Sequence, residues 1–465
     1  MSVLYGIDEI LAAAGGKACD VVAETVSSIS IDSREIGPGA LFVAIRGENF
    51  DGHDFVAKAI EAGAVAAMVS RDKAAGLSGL PLVVVEDALE GLYGLAAFSR
   101  SRSKARIIAV TGSVGKTSTK EALRVALEAN GKTHASIKSF NNHWGVPLML
   151  ARMPADTQFG VFEIGMSAAG EITPLSKLVR PHVAMVTTVA PAHLEFFDSE
   201  AAIADAKAEI FSGVDPGGLA IIGRDHAHVE RLADAAEAAG LKTLTYGFAN
   251  ADVTISGYQA TEDRASGHIE GDGLSLEVSI ATAGRHMLAN GVAALLAARA
   301  VGGDVQKSLA ALAVHGAPEG RGAAILLGDP GNPIRLIDES YNANPTSMRA
   351  ALEVFAAIPA EGRRILVLGD MRELGAASAD YHAGLADAVV AAGPDRVFLV
   401  GEHMARLAER LPDGLVAGRG QAVDEIGEHV LETLAPGDSV MLKGSNGVKL
   451  GSLVARIRDR FGVKR

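Results

Sequence analysis

Short apolar runs and stretches of helical spacing alternate along most of the chain. In the first hundred residues the β-rich runs are Ser28 to Asp32, Ala40 to Ile45, Val65 to Val69 and Leu82 to Val85. Helical patterns at Asp54 to Glu61 and Ala88 to Ser99 separate some of them. From residue 105 to about 318 a strand is mostly followed by a helix, which predicts a parallel sheet with ligands at the carboxyl ends of its strands. Phe159 to Ile164 and Val183 to Val189 are two such strands. Between Asp252 and Thr282 the period shifts to alternation with glycine breaks, an antiparallel excursion. An alanine-rich helix opens at Gly284-Arg285-His286. Beyond Gly320 the βα alternation restarts with strands at Ile334 to Ile337, Ile365 to Gly369, Val397 to Val400 and Val440 to Leu442, without a G-x-G-x-x-G turn.

One strand breaks into chemistry. Ile107 to Thr111 runs into Gly112-Ser113-Val114-Gly115-Lys116-Thr117-Ser118, and a helix follows from Thr117 to about Asn130, with Ala122, Leu123, Ala126 and Leu127 at helical spacing. Gly112 and Gly115 let backbone N–H groups approach phosphate oxygens, Lys116 reaches the terminal phosphates, and Thr117 offers a hydroxyl to Mg²⁺. The helix N-terminus adds its dipole. The pattern departs from G-x-x-x-x-G-K-[ST] by carrying Val110 where the first glycine would stand. A glycine turn that binds nothing leaves the Gly-Lys-Thr triplet without a purpose.

The fold class expected from these elements is α/β in three domains. Residues 1–104 form a small α/β domain, 105–318 a central P-loop ATPase domain with a mostly parallel sheet, and 319–465 a Rossmann-like domain. The length, 465 residues, is too great for one core. A net charge of −13 argues against nucleic acid as a partner, because backbone phosphates call for a basic face. The single cysteine, Cys19, excludes an intrachain disulfide, and neither a leader segment nor a membrane span is legible, so a cytoplasmic protein is expected. Ser99 to Lys104 reads as a linker.

Other candidates are scattered. Glu163 ends an apolar strand, where an unpaired acid is costly. His193 follows the next strand, with a structural hydrogen-bonding role as the competing reading. Lys207 lies in a helical stretch, where a solvated surface lysine is the default. Arg321, between two domains, is placed to clamp a γ-phosphate or to serve as an ordinary linker residue. Asp338 closes a strand before Asn344-Pro345, a good helix start in its own right. Ser33 and Arg34 suit a diphosphate or a solvated turn equally well.

These residues together resemble the Mur ligases along essentially the whole chain. The marks are Thr111 to Thr117, Glu163 with Gly165-Met166, Ala192 to Glu195, the Lys207 segment, Gly284-Arg285-His286 with Asn290, Gly320-Arg321, and Asp338 to Pro345. Ser340 to Pro345 and Leu368 to Gly375 look most like the member that adds D-alanyl-D-alanine to UDP-N-acetylmuramoyl-tripeptide. The resemblance implies an ATP-dependent ligase working through an acyl phosphate with two Mg²⁺. It implies that Thr117, Glu163, His193 and a carbamylated Lys207 hold metal. Residues 111–118, Asn290, Arg321 and Asp338 would touch ATP, with Lys116, His193, Lys207 and Arg321 in catalysis. Ser33, Arg34, Asp51, Gly52, His53, Asn141, Asn142, Tyr341 and Asn344 would serve the substrates, and a monomer is expected. Met287, Thr188, His143-Trp144 and Phe196 depart from the family pattern. Rival readings are another amino-acid ligase of the same family and a P-loop module that hydrolyses ATP slowly.

Overall fold

The structure is a computed structural model that describes residues 3–192, 194–318, 320–358 and 361–462. Among these residues the strands form three large sheets and one small antiparallel pair. The amino-terminal sheet has the order Lys17–Cys19, Leu82–Val85, Ala64–Ser70, Ala40–Val43, Ser28–Ser30, and only its first strand is antiparallel. Val43, Met68 and Val83 are fully buried there, as expected of parallel strands covered on both faces.

The nine-stranded central sheet places Arg106–Thr111 between Phe159–Glu163 and Val183–Val186, all parallel. Thr133–Ala135 lies beyond Phe159–Glu163, whereas Leu219–Gly223 and Lys242–Gly247 extend the other side. The chain therefore leaves Arg106–Thr111 first to one side and later to the other, which opens a crevice at the carboxyl ends of these strands. Val253–Ala260, Ala265–Gly271 and Leu274–Ile280 form the predicted antiparallel excursion. In the third sheet Ser439–Lys443 lies between Ile334–Glu339 and Arg364–Gly369, so a second crevice opens at their carboxyl ends. The two crevices face each other.

Val110 is fully buried and paired with Glu163 inside the sheet, as the strand reading expects, so the loop begins at Gly112, two residues after the place where a longer Walker loop would start. One expectation changes: Ser99 to Lys104 is not a linker, because the helix Ala88–Arg102 runs through most of it. Arg100 is buried, and its guanidinium donates to the Val179 and Arg180 carbonyl oxygens, each at 2.8 Å. A cation there satisfies the carboxyl end of the helix Ile172–Val179 and favours its dipole. Arg102 lies 4.1 Å from the Tyr5 ring centroid. Arg100 thus ties the first sheet's helix to the central domain, whereas Arg102 packs within its own domain.

Candidate active site

The loop after Arg106–Thr111 has the backbone its glycines predict. Gly112 has φ 151° and Gly115 φ 88°. A Cβ on Gly112 would meet Thr187 Oγ1 at 2.0 Å, and one on Gly115 would meet Asn290 Oδ1 at 2.8 Å in a left-handed backbone, so a side chain at either place is disfavoured. Ser113 donates through its N–H to Thr188 and through its hydroxyl to Ala190, while Thr187 Oγ1 donates to the Val114 carbonyl. The loop is thus held from the neighbouring strand's end. Lys116 and Thr117 open the helix Lys116–Glu128, whose free N–H groups face the same crevice. The Lys116 ammonium donates to Gly112 O at 2.6 Å, and burial followed by the Arg321 cation pushes its pKa down against the pull of Glu163. An anion entering the loop would relieve that strain on the charge.

Thr117 Oγ1 donates to Glu163 Oε2 at 2.9 Å, and Asn141 Nδ2 donates to Glu163 Oε1 at 2.7 Å. Glu163 is only 1% exposed, so these two bonds orient a buried carboxylate toward the loop. Lys207, on the helix Glu200–Ala208, is equally buried rather than a surface lysine. Burial and the nearby Lys116 ammonium hold its pKa well below the usual lysine range. His193 lies outside the described residues. Among the described residues no cluster of three His, Cys, Asp or Glu side chains forms a metal cage. One hydroxyl and one oriented carboxylate beside a phosphate loop do fit Mg²⁺, which takes few protein ligands and completes its shell with phosphate oxygens and water.

The opposite wall comes from beyond residue 318. A cavity of about 740 Å³ between the two crevices is lined by Lys116, Thr117, Glu163 and Asn290 on one side and Arg321, Glu339, Tyr341 and Lys443 on the other. The Arg321 guanidinium lies 4.5 Å from the Tyr341 ring centroid, and the Tyr341 hydroxyl is hydrogen-bonded to Ser139 of the central domain. Lys443, 2% exposed, pairs with Glu339 at 3.0 Å and donates to Asn342 O. Asp338 is buried and accepts from the Ser340 hydroxyl at 2.6 Å, behind the cavity surface. Asn344 caps the helix Pro345–Ala357 through Ser347 N–H, and Asn142 accepts from Gly145 N–H, so both also have local structural work. Arg285 stacks 3.7 Å over Phe248 on the same cavity wall.

Ser33, Arg34, Asp51, Gly52 and His53 do not line this cavity. Arg34 pairs with Asp32 at 2.6 Å, and that hydrogen bond holds the Asp32 carboxyl at about 2. His53 is buried, with Nδ1 on Asp51 and Nε2 accepting from Ser70 N–H. A salt bridge from Glu35 to Lys138 brings the Ser33–Glu35 turn beside the loop that carries Ser139 and Asn141. The sequence pattern did not single out Ser139 or Lys443. Lys443 carries the signal that found Glu163, a charge ending an apolar strand, whereas Ser139 carries none.

Three family models match the chain: the Mur ligase middle domain at residues 110–298, the Mur ligase glutamate ligase domain at 325–446, and the Mur ligase family catalytic domain at 25–94. The UDP-N-acetylmuramoyl-tripeptide–D-alanyl-D-alanine ligase of Escherichia coli strain K12 is 38% identical over 82% of this chain and 82% of its own length. A crystal structure of MurF from Acinetobacter baumannii has a TM-score of 0.85 at 29% identity and covers 98% of this chain and 99% of that one. The MurF ligase of Thermotoga maritima in complex with ADP has a TM-score of 0.78 at 25% identity, covering 93% and 97%. Family models, a relative above 30% identity and solved structures all match this chain over most of its length, and the chain belongs to the Mur ligase family.

Proposed function

We propose that the chain is an ATP-dependent ligase that joins D-alanyl-D-alanine to UDP-N-acetylmuramoyl-tripeptide, supplying a peptidoglycan precursor in the cytoplasm as a monomer. The observation that carries this reading is one cavity with a phosphate loop on one wall and Arg321 on the other, in a chain similar along most of its length to ligases of that name. No helix of the described residues is long and apolar enough to cross a membrane.

The tripeptide carboxylate attacks the γ-phosphorus of ATP, ADP departs, and the dipeptide amine then displaces phosphate from the acyl carbon to leave an amide. Lys116 exchanges its bond to Gly112 O for phosphate oxygens, and the loop N–H groups cradle the remainder. Arg321 meets the transferring group from the far side. Thr117 and Glu163, with His193 and Lys207, would hold Mg²⁺, which neutralises charge on the phosphates when bound. The depressed pKa of Lys207 leaves more of its amine neutral, the form that adds CO₂, and a carbamate there would supply an anion where the chain has a cation. Asn290 on the central wall and Asp338 behind the far wall would serve the nucleotide. Residues 1–104, with Ser33, Arg34 and the Asp51-Gly52-His53 turn, would hold the UDP-sugar, residues 105–318 the ATP, and residues 319–465 the dipeptide.

Water would destroy the acyl phosphate, so the domain beyond residue 318 is expected to close onto the central one before chemistry. The deciding experiment is ADP release with UDP-muramoyl tripeptides crossed against D-alanyl-D-alanine and single D-amino acids. Release that requires both the tripeptide and the dipeptide is expected. Equal release with a single D-amino acid would favour a different family ligase, and release without either acceptor would leave only an ATPase.

A further inference from the structure

Arg321 is flanked by two glycines in the left-handed region, Gly320 at φ 74° and Gly322 at φ 97°, so its own backbone does little to aim it. It also faces cations, being close enough to Lys116 to disfavour that ammonium. Something else must hold the guanidinium in place, and the Tyr341 ring is at the right position. Its centroid is 4.5 Å from the Arg321 Cζ, and Tyr341 Cβ lies 3.0 Å from where a side chain on Gly320 would begin, so Tyr341 packs directly against the Gly320-Arg321 backbone. Tyr341 N–H donates to Gly320 O as well.

The hydroxyl end of the same ring reaches Ser139 in the central domain. Ser139 sits on a loop clamped by the buried Lys120, which donates to Ser136 O at 2.8 Å, and the loop continues to Asn141, the residue orienting Glu163. Thr117, Ser139, Arg321 and Tyr341 also line a second cavity of about 460 Å³, so the pair stands in the partition between two compartments.

We propose that Tyr341 is a positioning residue for Arg321: its ring face fixes the guanidinium at the cavity wall, and its hydroxyl ties that setting to the central domain through Ser139. The inference rests on the ATP-dependent reading above and adds how the arginine is aimed. Tyr341 is 36% exposed, so its replacement is expected to leave the fold intact, which the melting temperature of each variant checks.

The test measures ligation and nucleotide binding in full-length Tyr341→Leu, Tyr341→Phe, Ser139→Ala, Arg321→Ala and the Arg321→Ala/Tyr341→Leu double variant. Tyr341→Leu is expected to lower kcat by roughly 5- to 30-fold, the span from a partly exposed to a desolvated cation–π contact, with the KM for ATP rising in step with the loss of analogue affinity. Tyr341→Phe, which keeps the ring, and Ser139→Ala are expected to lose the same smaller factor, about threefold. The double variant is expected to be no slower than Arg321→Ala alone, because the ring has nothing left to position. Calorimetry with a non-hydrolysable ATP analogue and with ADP gives a readout that needs no ligation. The preference for the analogue is expected to fall about tenfold in Arg321→Ala and Tyr341→Leu alike, and no further in the double variant. Losses that multiply in the double variant, or an unchanged analogue preference in Tyr341→Leu, would overturn the proposal. Wild-type enzyme that binds the analogue normally but makes no product would instead sink the substrate assignment.

Discussion

The two walls of the cavity are built in opposite ways. On the central wall, Gly112 to Ser118 are contiguous, and their positions are set by hydrogen bonds inside one domain: Lys116 to Gly112, Thr117 to Glu163, Ser113 to Ala190. On the far wall, Arg321, Glu339, Tyr341 and Lys443 span more than a hundred residues of chain, and the Tyr341 ring stacked on Arg321 is tied to the central domain through its hydroxyl and Ser139, a bond that depends on where the last domain sits. The phosphate half is therefore preorganised before substrate arrives, whereas the other half is completed by domain position. Preorganisation suits a step that stabilises charge, and movable assembly suits a site that must admit two large substrates and then exclude water.

Lys116→Ala strikes the preorganised wall and carries the largest expected effect. Loss of the only ammonium in the loop should cut kcat by about 10³-fold or more, roughly 4 kcal/mol of transition-state stabilisation, with the melting temperature nearly unchanged. Single-turnover ADP formation checks it; a rate near wild type would mean that the loop is not where the γ-phosphate reacts.

Lys443→Met strikes the assembled wall in its support. It leaves the Glu339 carboxylate, 17% exposed, without its partner and should destabilise the last domain by about 3 kcal/mol, at the low end for breaking a buried pair. Urea unfolding should show that loss while ADP affinity at the central wall persists. Equal loss of ADP affinity would mean that the two walls fold and bind as one unit.

The smallest effect lies behind the central wall. His134 stacks near Phe162 and its ring Nε2 meets Met149 O at 2.7 Å; burial pushes its pKa down to about 4. The unfolded chain binds this proton more readily, so the contribution is full above pH 6.5 and is lost as pH falls toward 4. His134→Gln keeps a donor for Met149 O and removes the titration. Its stability should fall by about 1 kcal/mol less than wild type between pH 6.5 and 5, a figure reduced because the ring is only partly buried. Parallel pH curves for the two proteins would show that the preorganised wall does not depend on a neutral His134.

Much of this was readable without coordinates where the signal is local. The strand, glycine loop and helix around Lys116 appear in the structure because residues adjacent in sequence make the whole unit. Glu163 stood out because a lone acid at the end of an apolar strand is costly. The antiparallel excursion at 252–282 was visible as a change of period. The reading of Ser99 to Lys104 as a linker failed because basic residues look solvated in a pattern. Arg100 is buried against carbonyl oxygens almost eighty residues away, and no local signal announces such a partner. The default reading of Lys207 as a solvated surface lysine failed in the same way, since an ordinary helical lysine becomes a buried one only through what packs over it.

By itself, the order of residues determined the parts whose geometry is paid for within a few positions: the βα alternation, the phosphate loop, the capped helices. Tertiary structure alone decided that Arg321 would face Lys116, that Tyr341 would bridge to Ser139, and that Lys443 would find Glu339. The physical reason is range. Backbone sterics and hydrogen-bond periodicity act between near neighbours, whereas the pairing of charges and rings across a cleft follows from how whole sheets and domains bury their faces against one another.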